Sequence, residues 1–272
     1  MTWTLYDERL RNPWLALAID EAVCHFFAGK EFETLIRVWR NPSAICFGRT
    51  CDASLNAHGE SLLNLDPGFS RSHFENKTVL LRRASGGGTV LHGPGNWNYS
   101  IIVSLDKFPE VFPVKQSYER FLGLAISALA QQGIEAHPAG QSDLVTPVQG
   151  ELRKFSGNAQ FRKRGICVHH GTLLEDSSLI SGISRALPHP PKEPDYRAGR
   201  SHDRFLGSLP AGFSIQQFAR DLSSATASWT ASEVRPLSAD VRKKIFQLAG
   251  KLAKKIYTNR EWILQGKAPD FH

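Results

Sequence analysis

No apolar stretch of the 272-residue chain approaches the ~18 residues that a membrane helix needs. The first residues, MTWTLYDERLRNPW, open with acids and polar groups where a secretion signal would carry a basic and then an apolar block. A cytoplasmic protein with no membrane partner is expected. Cysteine is scarce: Cys24, Cys46, Cys51 and Cys167 form no CxxC pair, which points to neither a zinc site nor a disulfide framework and fits reduced thiols. There is no internal repeat and no basic-plus-aromatic motif of the common nucleic-acid modules, and the positive charges are spread along the chain. Nucleic acid is therefore not an expected partner, although 33 basic against 26 acidic residues leave a net charge of +7 that suits phosphate-bearing ligands or an acidic protein. With 41% hydrophobic and 22% charged residues the composition is that of a folded chain, and a single domain over 1–272 is expected.

Helical and strand signals alternate. Asn12 and Pro13 read as the cap and first turn of a helix along which Trp14, Ala18, Ala22 and Phe26 recur until Gly29. A second helix is predicted over about 117–132, with Phe121, Leu122, Ala125 and Leu129 on one face. Strand-like segments lie at 35–40, 43–47, 78–82, 97–103, 144–148, 152–156 and 165–174, rich in β-branched and aromatic residues and punctuated by Asn41-Pro42 and glycines. Residues 187–209, rich in Pro, Arg and His, read as a long surface segment. Helices near 214–229 and 238–257 form a C-terminal helical part over 210–272. The fold class is α+β, with mixed or antiparallel sheets flanked by helices.

The densest chemistry lies in RRASGGGTVLH, from Arg82 to His92. Three successive glycines after a strand let backbone amides face a ligand, and amides in such a nest hold phosphate or carboxylate oxygens. No Gly-Lys-Ser/Thr follows, as a Walker loop requires, and the GxGxxG spacing of a dinucleotide fold is missing. Taken alone, the stretch is equally a glycine-rich hairpin with solvated arginines beside it. In a second cluster, RKFSGNAQ, strand alternation puts Lys154 and Ser156 on one face, from which Lys154 reaches a cavity as a compact cation; the alternative is an ordinary exposed strand lysine. In HHGTLL one of His169 and His170 must face inward. Cys167 and His169 share a face, but nothing completes a ligand set, so no metal-ligating residues are expected and a hydrogen-bonded packing histidine is the simpler reading.

Taken together, NPWLALAIDEAV, RVWRNPSAICFGR, RRASGGGTVLHGPGNWNYS, SDLV, RKFSGNAQ, HHGTLL and EWILQGKAPDFH, in this order and with these gaps, resemble the lipoate–protein ligase A family of the biotin/lipoate ligase superfamily over essentially the whole chain. The resemblance implies that superfamily's catalytic-domain fold. It also implies an enzyme that activates lipoate or octanoate with ATP, accompanied by Mg2+, to the acyl-adenylate. The acyl group would then pass to a lysine of an acceptor domain of the 2-oxoacid dehydrogenase E2 type or the glycine cleavage H-protein type. By motif position, Arg83, Ser85, Gly86, Gly87 and Gly88 would hold the adenylate or the acyl chain, while Thr89, Val90, Leu91 and His92 would lie along the nucleotide with Asn96 in the same wall. Lys154 matches the family's central lysine, which contacts the activated carboxyl and phosphate; Asp143, Ser156 and Gly157 join the binding set. Trp39, His170, Gly171 and Thr172 would line the acyl pocket and support Lys154.

Departures from the family pattern are Gly93, where an acid is usual, Ser142 for asparagine, and Asn158 where serine is common. PDYRAGRSHDRFLGSL replaces the family's lysine-rich adenylate loop, and Arg197, Arg200 and His202 are the candidates for a lid over the adenylate, the alternative being a solvated basic loop. Bacterial relatives continue past the EW…G…P.F stretch into an accessory domain; here that domain is expected to be absent, and a separate accessory ligase subunit is an expected partner. The competing activity, octanoyl or lipoyl transfer through an enzyme thioester, needs a nucleophilic cysteine, and none of the four stands at a transferase position. A third reading is a non-catalytic binder of lipoate or of the lipoyl domain, against which Lys154 and the complete glycine nest speak.

Overall fold

The computed structural model describes residues 1–7, 12–57, 78–190 and 192–270; the last two residues of the EWILQGKAPDFH motif lie outside it. The chain forms a mixed α+β fold. An eight-stranded sheet runs in the order β11-β1-β2-β6-β10-β9-β8-β7, built from β1 (Thr2–Asp7), β2 (Thr34–Trp39), β6 (Asn96–Ser104), β7 (His137–Ala139), β8 (Asp143–Val148), β9 (Glu151–Lys163), β10 (Ile166–Leu174) and β11 (Val234–Pro236). Its pairs are antiparallel except where β1 meets β2 and β11. A second sheet places β3 (Ala44–Phe47) between β4 (Val79–Arg82) and β5 (Val90–His92).

Two apolar clusters sandwich the large sheet. On one face α1 (Pro13–Phe27) packs with α7 (Ala239–Leu252) and the small sheet around Ile19, Val23, Ile45, Phe47 and Ile245. On the other face α3 (Val114–Ala130) and α6 (Ile215–Trp229) cover Tyr99, Ile101, Phe121, Phe155 and Phe218. The elements of 210–272 thus cover both faces and add β11 to the sheet edge. A three-residue strand whose side chains are all exposed leaves no apolar alternation to read, and β11 is missing from the sequence expectations for that reason. The helix starts are legible: the Asn12 side chain accepts from Trp14 N and Leu15 N with Pro13 following, and Ser214, Ser238 and Asn259 cap α6, α7 and α8 (Arg260–Gln265) in the same way.

Two expectations change. Strand β9 is 13 residues long, and its register slips so that Leu144 faces Ser156 and Val145 faces Lys154, leaving Phe155 as a bulge residue. The bulge buries Phe155 in the α3/α6 core while Lys154 and Ser156 both line cavity walls. The segment 187–209 is docked, contrary to the surface reading. It contains a turn at Asp195–Arg197 and the short α5 (His202–Phe205), and Leu187, Arg197, Phe205 and Leu209 are buried. Its polar side chains bind main-chain oxygens, which is why a polar composition did not keep it in solvent.

Glu21, buried on α1, fastens three parts of the chain: Tyr257 donates to Oε2 at 2.6 Å, Lys163 at the end of β9 pairs with Oε1, and His25 lies 3.7 Å away. Burial pushes its carboxyl up, but the hydrogen bonds from His25, Lys163 and Tyr257 outweigh that and hold it down, from 4.5 to about 2. The folded carboxyl titrates below the unfolded one, so the stabilisation is complete above pH 4.5 and is lost as the pH falls toward 2. Glu21→Gln should lower stability at pH 7 by about 3 kcal/mol. Urea unfolding of both proteins from pH 7 down to pH 3 should show the difference shrinking with acid; a pH-independent difference would contradict the assignment.

Candidate active site

The glycine loop leaves β4 at Arg82 and is shaped by Arg83. This buried guanidinium donates to Gly86 O and Gly88 O, both at 2.7 Å, to Cys46 O at 3.2 Å and, through Nε, to Ser85 Oγ at 3.0 Å. Across a trans peptide the carbonyl and the following amide point in opposite directions. Drawing in the carbonyls of Gly86 and Gly88 therefore turns the amides of Gly87 and Thr89 outward, toward the cavity that both residues line. Gly48 lets the loop approach, since a Cβ there would overlap Gly87 O. Arg82 holds the root of the loop from below, donating to Gly48 O, Arg49 O and Cys51 O and to Ile263 O and Leu264 O of α8.

Beneath the cavity runs a buried polar chain. Arg37 Nη1 donates to Asp20 Oδ1 at 2.6 Å, and Ser100 Oγ donates to Oδ2 at 2.8 Å; His170 Nδ1 stands 3.6 Å from Oδ2, and its Nε2 is 2.6 Å from Ser85 Oγ. Burial disfavours the Asp20 carboxylate, but the charge of Arg37 and the bonds from His170 and Arg37 pull its carboxyl below the usual range. Strand alternation sends the two adjacent histidines to opposite faces. His170 meets the cavity; His169 packs among Tyr99, Tyr118 and Phe121 with Nδ1 3.2 Å from Gln160 Nε2, and burial pushes it down to about 3. His92, on the cavity wall, is likewise pushed down to about 3, by burial and then by the charge of Arg83, so it is an uncharged donor–acceptor at neutral pH.

Two contiguous cavities meet at Lys154. The smaller, about 140 Å³, is lined by Leu17, Trp39, His92, Asn98, Ala159 and His170 among others. The larger, about 370 Å³, runs past Leu91, Asn96, Ser156 and Leu174 to the docked segment, with Lys192, Arg197 and His202 in its wall. Both share Gly88, Thr89, Val90, Ser142, Asp143, Lys154, Gly157 and Thr172. Lys154 Nζ lies 2.8 Å from Asp143 Oδ1, and a Cβ on Gly157 would stand only 3.1 Å from that nitrogen. Two polar groups on the walls have no partner among the described residues: Thr89 Oγ1 and Arg197 Nη2.

Of the residues singled out in the sequence, three lie outside both walls. Ser85 and Gly86 build the loop from behind, and Arg200 spends its guanidinium on Leu152 O, Tyr196 O and Arg197 O. The sequence reading passed over Leu17, Asn98 and Ala159 in the smaller cavity and the Ile183, Leu187 and Phe205 wall of the larger. These are apolar or neutral residues on elements far apart in sequence; Leu17, Asn98 and Ala159 stand inside the quoted motifs, but their own chemistry marks no role there. It also passed over Tyr196, whose hydroxyl donates to Asp143 Oδ2 at 2.7 Å. The thiols of Cys24, Cys46 and Cys167 are buried and pushed up by burial, the opposite of what a thiolate nucleophile needs, and Cys51 donates its thiol proton toward Gly87 O at 3.2 Å. Among the described residues no group of three or more His, Cys, Asp or Glu could hold a metal ion, and no helix is long and apolar enough to cross a membrane.

A nest of amides, a lysine between two cavities and a mixed sheet with helices on both faces define an α+β domain with a two-chambered site. The chain belongs to the lipoyl protein ligase A/B catalytic domain family, whose model matches residues 12–226. It is 43% identical over 178 residues to lipoate-protein ligase LplJ of Bacillus subtilis, an alignment covering 65% of this chain and 47% of that protein. It is 31% identical over 183 residues to lipoate-protein ligase A of Bdellovibrio bacteriovorus, covering 66% and 47%. The chain thus spans about half the length of the curated relatives it matches. Among solved structures, a bi-partite lipoate protein ligase from Thermoplasma acidophilum, described with its E2 lipoyl domain, superposes with a TM-score of 0.76 over 99% of both chains at 20% identity. A lipoate-protein ligase A bound with ATP gives 0.71 over 98% of both at 20%. At that identity the likeness is one of fold.

Gly171 sits in β10 opposite Tyr99 and Asn158, and a Cβ there would overlap Asn158 Oδ1 and lie 2.7 Å from Tyr99 Cε1, whereas a Cβ on Gly86 meets nothing within 4 Å. Gly171→Ala should therefore cost about 1–3 kcal/mol and Gly86→Ala no more than about 0.5 kcal/mol. Chemical denaturation of the two variants measures the contrast, and equal costs would contradict it.

Proposed function

We propose that this chain activates lipoate, or octanoate, with ATP and transfers the acyl group to a lysine of a lipoyl acceptor domain. The observation that carries the reading is the position of Lys154 in the wall common to two cavities of unequal character. The smaller cavity, with Leu17, Trp39 and Ala159, takes the acyl tail; the larger, with Thr89, Asn96 and Arg197, takes the nucleotide. Solved relatives bind the two substrates: a putative lipoate protein ligase from Thermoplasma acidophilum with lipoic acid, and a lipoate-protein ligase A with ATP.

In the first step a carboxylate oxygen attacks the α-phosphorus of ATP and pyrophosphate leaves. Negative charge gathers on phosphate and carbonyl oxygens at the junction, where the Lys154 ammonium and the outward amides of Gly87 and Thr89 are already fixed. In the second step the uncharged amine of the acceptor lysine attacks the carbonyl carbon, AMP leaves, and the nitrogen loses a proton. The same ammonium then faces the carbonyl oxygen. Mg2+ would arrive on the nucleotide phosphates, and Asp143, the carboxylate of the shared wall, is the residue that would meet it.

The acceptor is a domain of the 2-oxoacid dehydrogenase E2 type or the glycine cleavage H-protein type, and the compartment is the cytoplasm, in keeping with four free thiols. A separate accessory polypeptide is a further partner, a reading supported by the likeness to a ligase described as bi-partite. Incubation with ATP, magnesium, lipoate and an apo acceptor domain, followed by intact mass of the acceptor, tests this, with and without an added accessory polypeptide. ATP-dependent lipoylation is expected, and Lys154→Ala should reduce its rate by on the order of 10²–10³-fold. Modification that ignores ATP and proceeds only from an octanoyl-carrier protein would overturn the reading.

A further inference from the structure

We propose that Tyr196 is a positioning residue for Lys154, acting through Asp143, so that the lysine is aimed at the reacting groups only while segment 194–207 is docked; this rests on the ligase reading above. The two carboxylate oxygens of Asp143 are divided between two partners. Oδ1 faces Lys154 Nζ at 2.8 Å and Oδ2 accepts from the Tyr196 hydroxyl at 2.7 Å. A carboxylate held by one donor is free to rotate about its terminal torsion, whereas a second donor on the other oxygen fixes that rotation and with it the direction of the ion pair.

Three further contacts of the segment reach the strand that carries the lysine. Gly207 N donates to the carbonyl of Lys154 itself, at 2.9 Å; Arg200 Nη1 donates to Leu152 O at 3.0 Å, and Arg153 Nη1 donates to Asp203 O at 2.9 Å. Three consecutive positions, 152 to 154, are thus tied to the segment by their own backbone or side chains. The ring of Tyr196 is seated by Phe205 of α5, 5.3 Å between centroids, so the hydroxyl and α5 move together. Burial and the adjacent Asp143 push the Tyr196 phenol up, which keeps it a proton donor. Docking of the segment and aim of the ammonium are therefore one mechanical event, and Tyr196 is the side chain that joins them.

Tyr196→Phe removes the hydroxyl and keeps the ring on Phe205. In the ATP-dependent assay it should lower kcat by about tenfold, the effect of one hydrogen bond to a charged group, with the KM for lipoate changed less than about twofold. The double variant Tyr196→Phe/Asp143→Asn should be no slower than Asp143→Asn alone, because both changes act on one contact. An arm independent of turnover uses the full-length protein and a limiting amine-reactive reagent, acetic anhydride, with peptide mass at Lys154: Tyr196→Phe should raise labelling of that lysine severalfold while the melting temperature stays put. The proposal is overturned by native-like kcat in Tyr196→Phe, by losses that multiply in the double variant, or by unchanged labelling of Lys154. A native chain that never uses ATP would defeat the ligase reading instead, and the labelling arm would still decide the role of Tyr196.

Discussion

A carboxylate confined to the interior must find its counter-charge there, and Asp20 sets that condition for the whole site. It is buried on α1, and the cost of ionising it away from water is offset only by arranging Arg37, Ser100 and His170 around it. Those partners belong to β2, β6 and β10, so satisfying one group fixes how the helix sits on three strands of the sheet. The consequence reaches the ligand side through His170 and Ser85, where the same polar chain meets Arg83 and the glycine loop. The loop's conformation is thus decided as much from below as by its own glycines.

That arrangement explains which parts of the site could be read in advance. Lys154, Asp143 and the glycine run carry distinctive chemistry in short motifs, and the structure brings them to one wall. Their roles were less legible than their identities. Arg83 reads as a ligand-facing cation; it does line the smaller cavity, yet its guanidinium donates to the carbonyls of Cys46, Gly86 and Gly88 and to Ser85 Oγ, and an acceptor 37 positions away at Cys46 leaves no local mark. Alternation around Lys154 gave the right outcome, with Lys154 and Ser156 both on cavity walls, but not the bulge at Phe155 that shifts the register, since a bulge leaves no mark in the pattern until the partner strand is known.

The fold divides similarly. Helices with side-chain caps and apolar stripes, such as α1 and α6, are visible from their own residues. The strands β1 and β11, and the docking of segment 187–209, depend on partners distant in sequence. Tyr196 belongs with them: nothing adjacent to it in PDYRAGR marks a residue that reaches Asp143, 53 positions earlier. Non-local contacts of this kind lie beyond the reach of periodicity and propensity.

Arg82 gives the molecule an order of assembly. Its side chain donates to five main-chain oxygens, two of them in α8, up to 182 positions along the chain, and Trp262 Nε1 returns a bond to Arg82 O. While the polypeptide is being synthesised, a guanidinium destined for full burial waits for acceptors that have not yet been made. The bonds to Ile263 and Leu264 can therefore form only once those residues have been synthesised, and the root of the glycine loop gains its full set of partners no earlier.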